Sequence, residues 1–367
     1  MTGKSIGLIA LAMTAVPIAA KAQTYTVAEL GTPGPGYSIS GEAINDSGQV
    51  AGTSSFFSPP VTDITQATVW NGTIPTQLGS LPGSNGGNVA SGINNVGQIV
   101  GYASDAAGNE IATVWNGTKP TALGDISGEP NGSIIDRANG IDNAGVIVGF
   151  SGDYATVWNG TRPTILPSLG GVSSALAINN AGQIVGWSAT AGYAATYATL
   201  WQGSKVIDLG SLGGTESLAA AINDRGQIVG QSSTASGSTD AFLYSNGVMR
   251  NLGTLAGGEG SIAVGINNAG QIVGTASMDN GGAAFLYSNG KMINLDTVVN
   301  PGLGLTLFEA DAINNKGQIL AFGYDSQINQ DGFFVLTPNR VPEMDPASAA
   351  GGLTLLLGSL VVLRGRR

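Results

Sequence analysis

The feature that most constrains the fold is a ten-residue stretch that recurs along the chain. In its clearest copy, residues 221–230, it reads Ala-Ile-Asn-Asp-Arg-Gly-Gln-Ile-Val-Gly. The copies are spaced 37 to 49 residues apart, and their isoleucines are Ile44, Ile93, Ile141, Ile178, Ile222, Ile266 and Ile313. A recurrence at this spacing is typical of repeat architectures, in which each repeat is one small supersecondary unit. The chain is therefore expected to be a series of similar units.

Each repeat is predicted to contain four short strands. In the copy at Ile222, residues 219–222 are apolar and residues 227–230 are rich in β-branched residues, so both read as strands. The Asn-Asp-Arg-Gly between them predicts a tight turn, since Asn and Asp bond their own backbone and Gly adopts positive φ. Residues 241–244 form a predicted third strand, and an Asn-Gly hairpin signal leads into a fourth that ends at Leu252.

Four short strands per repeat indicate the blades of a β-propeller. The fourth strand should be the outermost, because it contains Pro75, Pro120 and Pro163 in three copies, and proline cannot donate to a strand ladder. The Ile-Asn strand is then innermost. The composition agrees, because 42% hydrophobic and only 10% charged residues argue against disorder.

The two ends of the repeat region predict how such a ring would close. The last copy has no fourth strand of its own, whereas residues 25–31 form a spare strand before the first copy. Leu30 precedes Ile44 by 14 residues, the same spacing as that from Leu252 to Ile266. We therefore expect an all-β fold, a seven-bladed β-propeller closed by the N-terminal strand. An open β-solenoid or two smaller sheets are the alternatives.

Both chain ends have the features of targeting segments. Residues 1–22 are predicted to be a signal peptide, with Lys4 before an apolar run and a small-x-small cleavage site formed by Ala20 and Ala22. Residues 23–340 are predicted to be the propeller. Residues 341–367 combine a short polar motif, an apolar run over 347–363 and a basic end. That run is just long enough for a membrane helix, with its arginines on the cytoplasmic side.

The C-terminal segment resembles the bacterial PEP-CTERM sorting signal. The residues that carry the resemblance are Val341, Pro342, Glu343, Arg364, Arg366 and Arg367. The motif reads Pro-Glu-Met here, instead of Pro-Glu-Pro. The resemblance implies processing by an exosortase-like enzyme and a secreted protein at the cell surface or in the extracellular matrix. The membrane would be contacted only through the C-terminal helix before processing; a permanent membrane anchor is the alternative.

The repeat resembles the HAF family of probable extracellular repeats. The resemblance covers nearly all of residues 25–336 and is clearest in the stretches 221–230, 240–244 and 252–255. The family is named for a His-Ala-Phe step, and the nearest match here is Asp-Ala-Phe, because the chain contains no histidine. The copy at Ile141 also departs, with Asp142 and Val146 in place of Asn and Gln. The resemblance implies location and architecture; it implies no activity.

The composition excludes several kinds of chemistry. The chain has no cysteine and no histidine, so thiolate, disulfide and histidine-dependent catalysis are impossible. Residues 23–340 hold 22 of the 24 acidic residues and 9 of the 14 basic ones, a formal net charge of −13. Such a surface repels polyanions, so we expect no nucleic-acid partner. We expect no cofactor and no metal site. Calcium held by loop carboxylates is the alternative, although no Asp-x-Asp-x-Asp spacing appears in the sequence.

The most repeated side chains are predicted to serve the scaffold. The asparagine after each isoleucine is expected to bond its own turn, although a ring of amides for a polar ligand is an alternative. The aromatic residue of the third strand is expected to pack one blade on the next. These aromatic residues are Trp70, Trp115, Trp158, Trp201, Tyr244 and Tyr287.

Recognition is expected where the copies differ. The connections from the second to the third strand and from the fourth to the next first strand vary in length, and both should lie on one face. Trp187 lies outside the third-strand register beside such a connection, which makes it the candidate ligand-binding residue. The sequence thus predicts a binding or structural module whose partner is a surface polysaccharide or a protein, and no enzyme.

The alternative is a carbohydrate-active enzyme that uses two loop carboxylates. The carboxylates near variable connections are Asp63, Asp105, Glu110, Glu129, Asp136, Asp153, Glu216, Asp240, Glu259, Asp279 and Asp311.

Overall fold

The computed structural model describes residues 24–58, 61–84, 86–126, 135–279 and 281–339. The predicted signal peptide, with Ala20 and Ala22, lies outside these residues. The predicted sorting segment lies outside them as well, including Val341, Pro342, Glu343, Arg364, Arg366 and Arg367. Within the described ranges no helix has the length and hydrophobicity needed to cross a bilayer.

The regular structure of the described residues is β-strand apart from three 3-10 segments at Ala191–Tyr193, Leu295–Thr297 and Pro301–Leu303. We number as unit 1 to unit 7 the strands that belong to the successive Ile-Asn copies. Unit 1 contains β2 (Tyr37–Ile44), β3 (Gln49–Ser58), β4 (Val61–Asn71) and β5 (Ile74–Gln77). Unit 2 contains β6 (Asn88–Ile93), β7 (Gln98–Ser104), β8 (Glu110–Asn116) and β9 (Lys119–Ala122). Unit 3 contains β10 (Asp136–Ile141), β11 (Ile147–Ser151), β12 (Tyr154–Asn159) and β13 (Arg162–Ile165).

The remaining units follow the same plan. Unit 4 contains β14 (Gly170–Ile178), β15 (Ile184–Thr190), β16 (Thr196–Gln202) and β17 (Lys205–Asp208). Unit 5 contains β18 (Gly213–Ile222), β19 (Ile228–Thr234), β20 (Thr239–Ser245) and β21 (Val248–Asn251). Unit 6 contains β22 (Gly260–Ile266), β23 (Ile272–Met278), β24 (Gly281–Ser288) and β25 (Lys291–Asn294). Unit 7 contains β26 (Leu305–Ile313), β27 (Ile319–Asp325), β28 (Gln330–Pro338) and the N-terminal strand β1 (Tyr25–Glu29).

The strands of each unit pair antiparallel in chain order, except in unit 7, where β1 takes the fourth place beside β28. Tyr25 pairs with Pro338 and Glu29 pairs with Phe334. Units 4 and 5 share one sheet because a parallel bridge joins Thr196 of β16 to Glu216 of β18. The prolines of the fourth strands lie on outer strands, as predicted, with Pro75 opposite Trp70 in unit 1.

Antiparallel order puts the connections of every unit on two opposite sides. The short turns from the first to the second strand and from the third to the fourth lie on one side, which we call the turn side. The variable connections lie on the other, which we call the loop side. The predicted turn geometry is confirmed in unit 1, where Gly48 N donates to Asn45 O at 2.9 Å and has a φ of 81°. Asn246 and Gly247 both have positive φ, as a tight Asn-Gly hairpin turn requires.

The first strand of every unit has a β-bulge two residues before the repeated isoleucine. The sequence analysis did not predict this bulge. In unit 5 the register shifts between Ala219 and Ala221, opposite Gly230. A Cβ on Gly230 would lie 1.8 Å from the carbonyl oxygen of Leu218, so only glycine fits there. Unit 7 has Ala321 at this position, and its first strand has an additional register shift between Leu307 and Glu309.

The core lies between neighbouring units, and the third-strand tryptophans are fully buried within it. Each tryptophan also donates its indole Nε1–H to a carbonyl oxygen of the preceding unit's outer chain. The acceptors are Gly31 for Trp70, Gly79 for Trp115, Gly124 for Trp158 and Pro167 for Trp201, at 2.6 to 2.8 Å. Packing one unit on the next is therefore the role of these residues.

Candidate functional site

Trp187, the predicted ligand contact, lies in the second strand of unit 4. Its backbone pairs with Ser174 of β14 on one side and with Ala198 of β16 on the other. The strand is thus fixed at its centre, while the indole is only half-buried. Trp187 differs in this respect from the third-strand tryptophans, which are sealed between units.

The indole of Trp187 lines a groove between units 4 and 5 on the loop side. The groove has a volume of about 310 Å³. It is lined by Trp187, Thr196, Glu216, Ser217, Leu218, Gln231, Ser232, Ser233 and Thr239. This volume is at the lower end of the range for small-molecule sites. The groove is open to solvent and can hold one or two residues of a polymer chain.

Glu216 is the one carboxylate among the described lining residues of the groove. It lies where the register of β18 shifts between Gly213 and Ser217, next to the bridge to Thr196. Its backbone is held by Ser233, whose Oγ accepts from Glu216 N at 3.0 Å and donates to Glu216 O at 2.9 Å. Its side chain is exposed. The carboxylate is therefore free to accept hydrogen bonds from a bound molecule.

The remaining polar groups of the groove are uncharged. Gln231 provides an amide, and Thr196, Ser233 and Thr239 provide hydroxyl groups. The groove thus offers an aromatic face beside hydrogen-bond donors and acceptors. It lacks a second carboxylate among its described lining residues, whereas hydrolysis by the usual glycosidase mechanism needs a pair.

Three of the other candidate carboxylates, Glu110, Asp105 and Asp240, make separate local contacts, whereas Glu129 and the side chain of Asp63 lie outside what the structure describes. Glu110 forms an ion pair with Arg137, whose guanidinium also lies 4.7 Å from the centre of the Tyr102 ring. Asp105 accepts from Asn109 within its own turn, and these bonds lower the pKa of Asp105. Asp240 accepts from the side chain of Asn251. The described part of the chain contains no group of three or more acidic side chains arranged to hold a metal ion.

Sequence reasoning missed most of the groove, although one signal was present. Trp187 follows the repeated Ile-Val-Gly of the second strand, and so does Gln231 in the next unit, so both occupy one register position. The residues at this position are Thr53, Tyr102, Phe150, Trp187, Gln231, Thr275 and Phe322. A second-strand position that varies between copies, next to a repeated Ile-Val-Gly, is the sequence pattern that would have indicated the groove.

A second cavity, of about 170 Å³, lies on the turn side and is lined by the first turns of all the units. The residue after each repeated asparagine forms a continuous series of hydrogen bonds there, which we call the amide belt. Each backbone N–H donates to the side-chain Oδ1 of the next member at 2.8 to 3.1 Å, and Asn315 donates to Asp46. The members are Asp46, Asn95, Asn143, Asn180, Asp224, Asn268 and Asn315.

The repeated asparagine bonds its own turn, as predicted, and also joins neighbouring units. Asn45 Oδ1 accepts from Ser47 N and Gln49 N at 3.0 Å. Its Nδ2 donates to Gln49 Oε1 at 2.8 Å and to the backbone oxygen of Asn94, in the next unit, at 3.1 Å. Because both donors and the acceptor are engaged within the scaffold, these amides have little capacity left for a ligand.

Unit 3 departs from this pattern in a way that the contacts explain. Asp142 replaces the asparagine and still accepts from Ala144 N and Val146 N, but it has no amide to donate. The glutamine that would accept this bond is therefore not needed, and Val146 takes its place. The lost bond to unit 4 is replaced by one from Asn139 Nδ2 to Ala175 O at 2.8 Å.

The contact between unit 7 and unit 1 contains a buried carboxylate with a raised pKa. Asp311 lies in the bulge of β26, and its Oδ2 is buried without a hydrogen-bond partner among the described residues. Burial, with the nearby carboxylates of Glu309 and Glu42, raises the pKa of Asp311 to about 7. Asp311 is therefore largely protonated below neutral pH.

The comparisons with known proteins bear on the fold. No protein-family profile matches the chain, and no curated protein matches its sequence. The chain is similar to a solved structure, the β-propeller domain of the Trilobed protease from Pyrococcus furiosus, with a TM-score of 0.56 and 10% identity over 85% of this chain and 97% of that one. It also matches TolB from Acinetobacter baumannii, with a TM-score of 0.38 and 10% identity over 83% of this chain and 80% of that one.

The first of these matches shows that the fold is a β-propeller, as the sequence predicted. The protease domain is described as having an open velcro topology. In the present chain the first and last described strands, β1 and β28, are hydrogen-bonded to each other.

Asp311 makes a pH-dependent contribution to stability. Its pKa is about 7 in the folded protein and near the ordinary value of 3.8 when unfolded. The folded state therefore binds the extra proton, and stability falls as the pH rises from about 4 through about 7. We expect a loss of about 2.5 kcal/mol between pH 5 and pH 8.

The measurement is urea unfolding at both pH values. Asp311→Asn should remove most of the pH dependence and stabilise the protein at pH 8, because the amide cannot ionise. Asp240→Asn is the control and should leave the pH dependence in place. An equal fall in stability for the wild type and Asp311→Asn would contradict the assignment.

Proposed function

We propose that this protein is a binding module, a surface-attached β-propeller that holds a surface polysaccharide in the groove between units 4 and 5. The observation that carries the proposal is the exposed side of the Trp187 indole in a groove of otherwise hydroxyl, amide and carboxylate groups. The apolar face of a sugar ring stacks on an aromatic ring, and its hydroxyl groups exchange hydrogen bonds with such side chains. The protein has no catalytic role in this proposal.

The charge of the molecule favours a neutral polysaccharide over an acidic one. The described lining of the groove contains Glu216 and no cationic side chain. The net charge of the chain is −10. An anionic polymer would be repelled both by the groove and by the surface as a whole.

The groove is tested by binding to immobilised neutral polysaccharides in affinity electrophoresis. Trp187→Ala should weaken binding at least tenfold, because the stacking face is lost, and Trp187→Phe should retain part of it. Phe150→Ala is the matched control, since Phe150 has the same register position in unit 3 and does not line the groove. If Trp187→Ala binds as well as the wild type, or if the wild-type protein binds none of the polysaccharides, the proposal is wrong.

We propose further that the units are the blades of a seven-bladed ring that closes between unit 7 and unit 1. Three contacts support closure there: the pairing of β1 with β28, the hydrogen bond from Asn315 to Asp46, and that from Trp70 to Gly31. The last of these is equivalent to the bond from Trp115 to Gly79 between units 1 and 2.

The equivalence of these junctions gives a test of closure. Trp70→Phe and Trp115→Phe each leave one half-buried carbonyl group without its donor, at a cost of about 1 to 2 kcal/mol. In a closed ring both variants should lose a similar free energy of unfolding, because the two bonds are equivalent. If Trp70→Phe costs nothing while Trp115→Phe is destabilising, the junction between unit 7 and unit 1 is not formed in solution.

The location that we propose is the cell surface or extracellular matrix. It is supported by the signal-peptide pattern of residues 1–22 and by the resemblance of residues 341–367 to a sorting signal. Intact-mass measurement of the mature protein provides the test, with an expected start at Gln23 and a C-terminus near Pro342 after cleavage by the exosortase-like enzyme. A protein that keeps residues 1–22 would contradict secretion, and one that keeps 343–367 would indicate a permanent anchor.

A further inference from the structure

The connection between β15 and β16 carries an exposed tyrosine in an unfavourable backbone conformation. Tyr193 is 69% exposed and has a φ of 59°. It follows Gly192, whose φ is 74°. Bulky side chains rarely adopt positive φ, because the Cβ then crowds the backbone. The conformation of Gly192 needs no explanation, whereas that of Tyr193 does.

Core packing does not account for the conformation of Tyr193. None of the residues of its short 3-10 segment, Ala191–Tyr193, is buried. The loop is nevertheless held in place, since Thr190 N donates to Ala195 O at 2.9 Å and Ala195 N donates to Thr190 Oγ1 at 3.1 Å. The ring is therefore presented to solvent by an ordered loop. Strained residues of this kind concentrate at ligand contacts, where the cost is retained because the geometry is needed.

The position of this loop connects it to the groove. The two strands that it joins are those that supply Trp187 and Thr196 to the groove lining. Thr196 is the first residue of β16 and pairs with Ala189, next to the start of the loop. Trp187 lies three residues before Thr190, about 10 Å along the strand. The loop thus stands at the loop-side end of the groove, beyond the stacking position at Trp187.

We propose that Tyr193 is a second aromatic contact, and that the ligand is an uncharged polysaccharide chain which runs from Trp187 to Tyr193. This proposal rests on the proposed function of the groove. It adds that the site binds a ligand of several sugar residues. A single sugar unit contacts Trp187 alone, whereas a longer chain reaches Tyr193 as well. The affinity for the ligand therefore rises with the number of sugar residues that it contains, and this increase depends on Tyr193.

The experiment compares neutral oligosaccharides of two to six units from the cello-, malto- and chito-series by titration calorimetry. The wild-type protein is expected to bind the six-unit member of at least one series at least tenfold more tightly than the two-unit member. In Tyr193→Gly this ratio should fall below threefold, with the affinity for the two-unit member unchanged. Tyr193→Phe should keep the wild-type ratio, because it retains the ring.

Two controls separate a lost contact from a damaged fold. Glycine accepts the positive φ of position 193 without strain, so Tyr193→Gly should unfold at the same temperature as the wild type or a higher one. Ile74→Ala changes a side chain of matched exposure, 70%, at the turn-side end of β5, and should leave the ratio unchanged.

The possible results distinguish the two proposals. If Tyr193→Gly keeps the tenfold ratio, or Tyr193→Phe loses it, the proposal that Tyr193 contacts the ligand is wrong. The proposed function of the groove is not affected by that result. If the wild type binds all chain lengths equally, the extended site is wrong as well. If no oligosaccharide or polysaccharide binds, the proposed function of the groove is overturned and this inference falls with it.

Discussion

The fold depends on the side-chain amide at the start of the first turn in six of the seven units. One oxygen of Asn45 satisfies two backbone donors of its own turn, and the nitrogen of the same amide reaches the backbone of the neighbouring unit. A single residue type therefore both shapes the hairpin and sets the distance to the next one. Aspartate can perform the first task and not the second. The substitution at Asp142 shows this, since the bond to unit 4 is then supplied from Asn139.

The scaffold was largely predictable from the sequence because the residues that determine it occur at the same position in successive repeats. The four strands, the outer position of Pro75 and the packing role of Trp70 follow from turn chemistry, from the missing proline N–H and from side-chain size. The residues of the amide belt also repeat in the sequence, since an Asn or Asp follows the first turn residue in every copy. Considered within one repeat, however, these residues explain only the turn. Its bonds run between units, and one repeat read by itself does not contain them.

The groove was not predictable to the same degree, because it is built where the copies differ. Trp187 stood out as an aromatic residue off the main register, but Gln231 and Ser233 are ordinary strand residues in sequence. They meet because two strands from different units are brought side by side. The role of Glu216 depends on a bulge in β18, and the pKa of Asp311 depends on burial beside two other carboxylates. Neither follows from a pattern within one repeat.

The pairing of β1 with β28 also determines how the molecule bears mechanical load. Tyr25 is directly opposite Pro338, so the chain enters and leaves the described fold at the same end of one ladder, on the turn side. A force that pulls the two ends apart would open that ladder one residue pair at a time, from Tyr25 towards Glu29, instead of shearing all its bonds at once. A force applied through Pro338 alone would instead act on β28, which is paired with β27 as well as with β1, and would not pull β1 away from β28. A protein held by a tether at the β28 end would therefore keep its outer strand, β1, in place under drag.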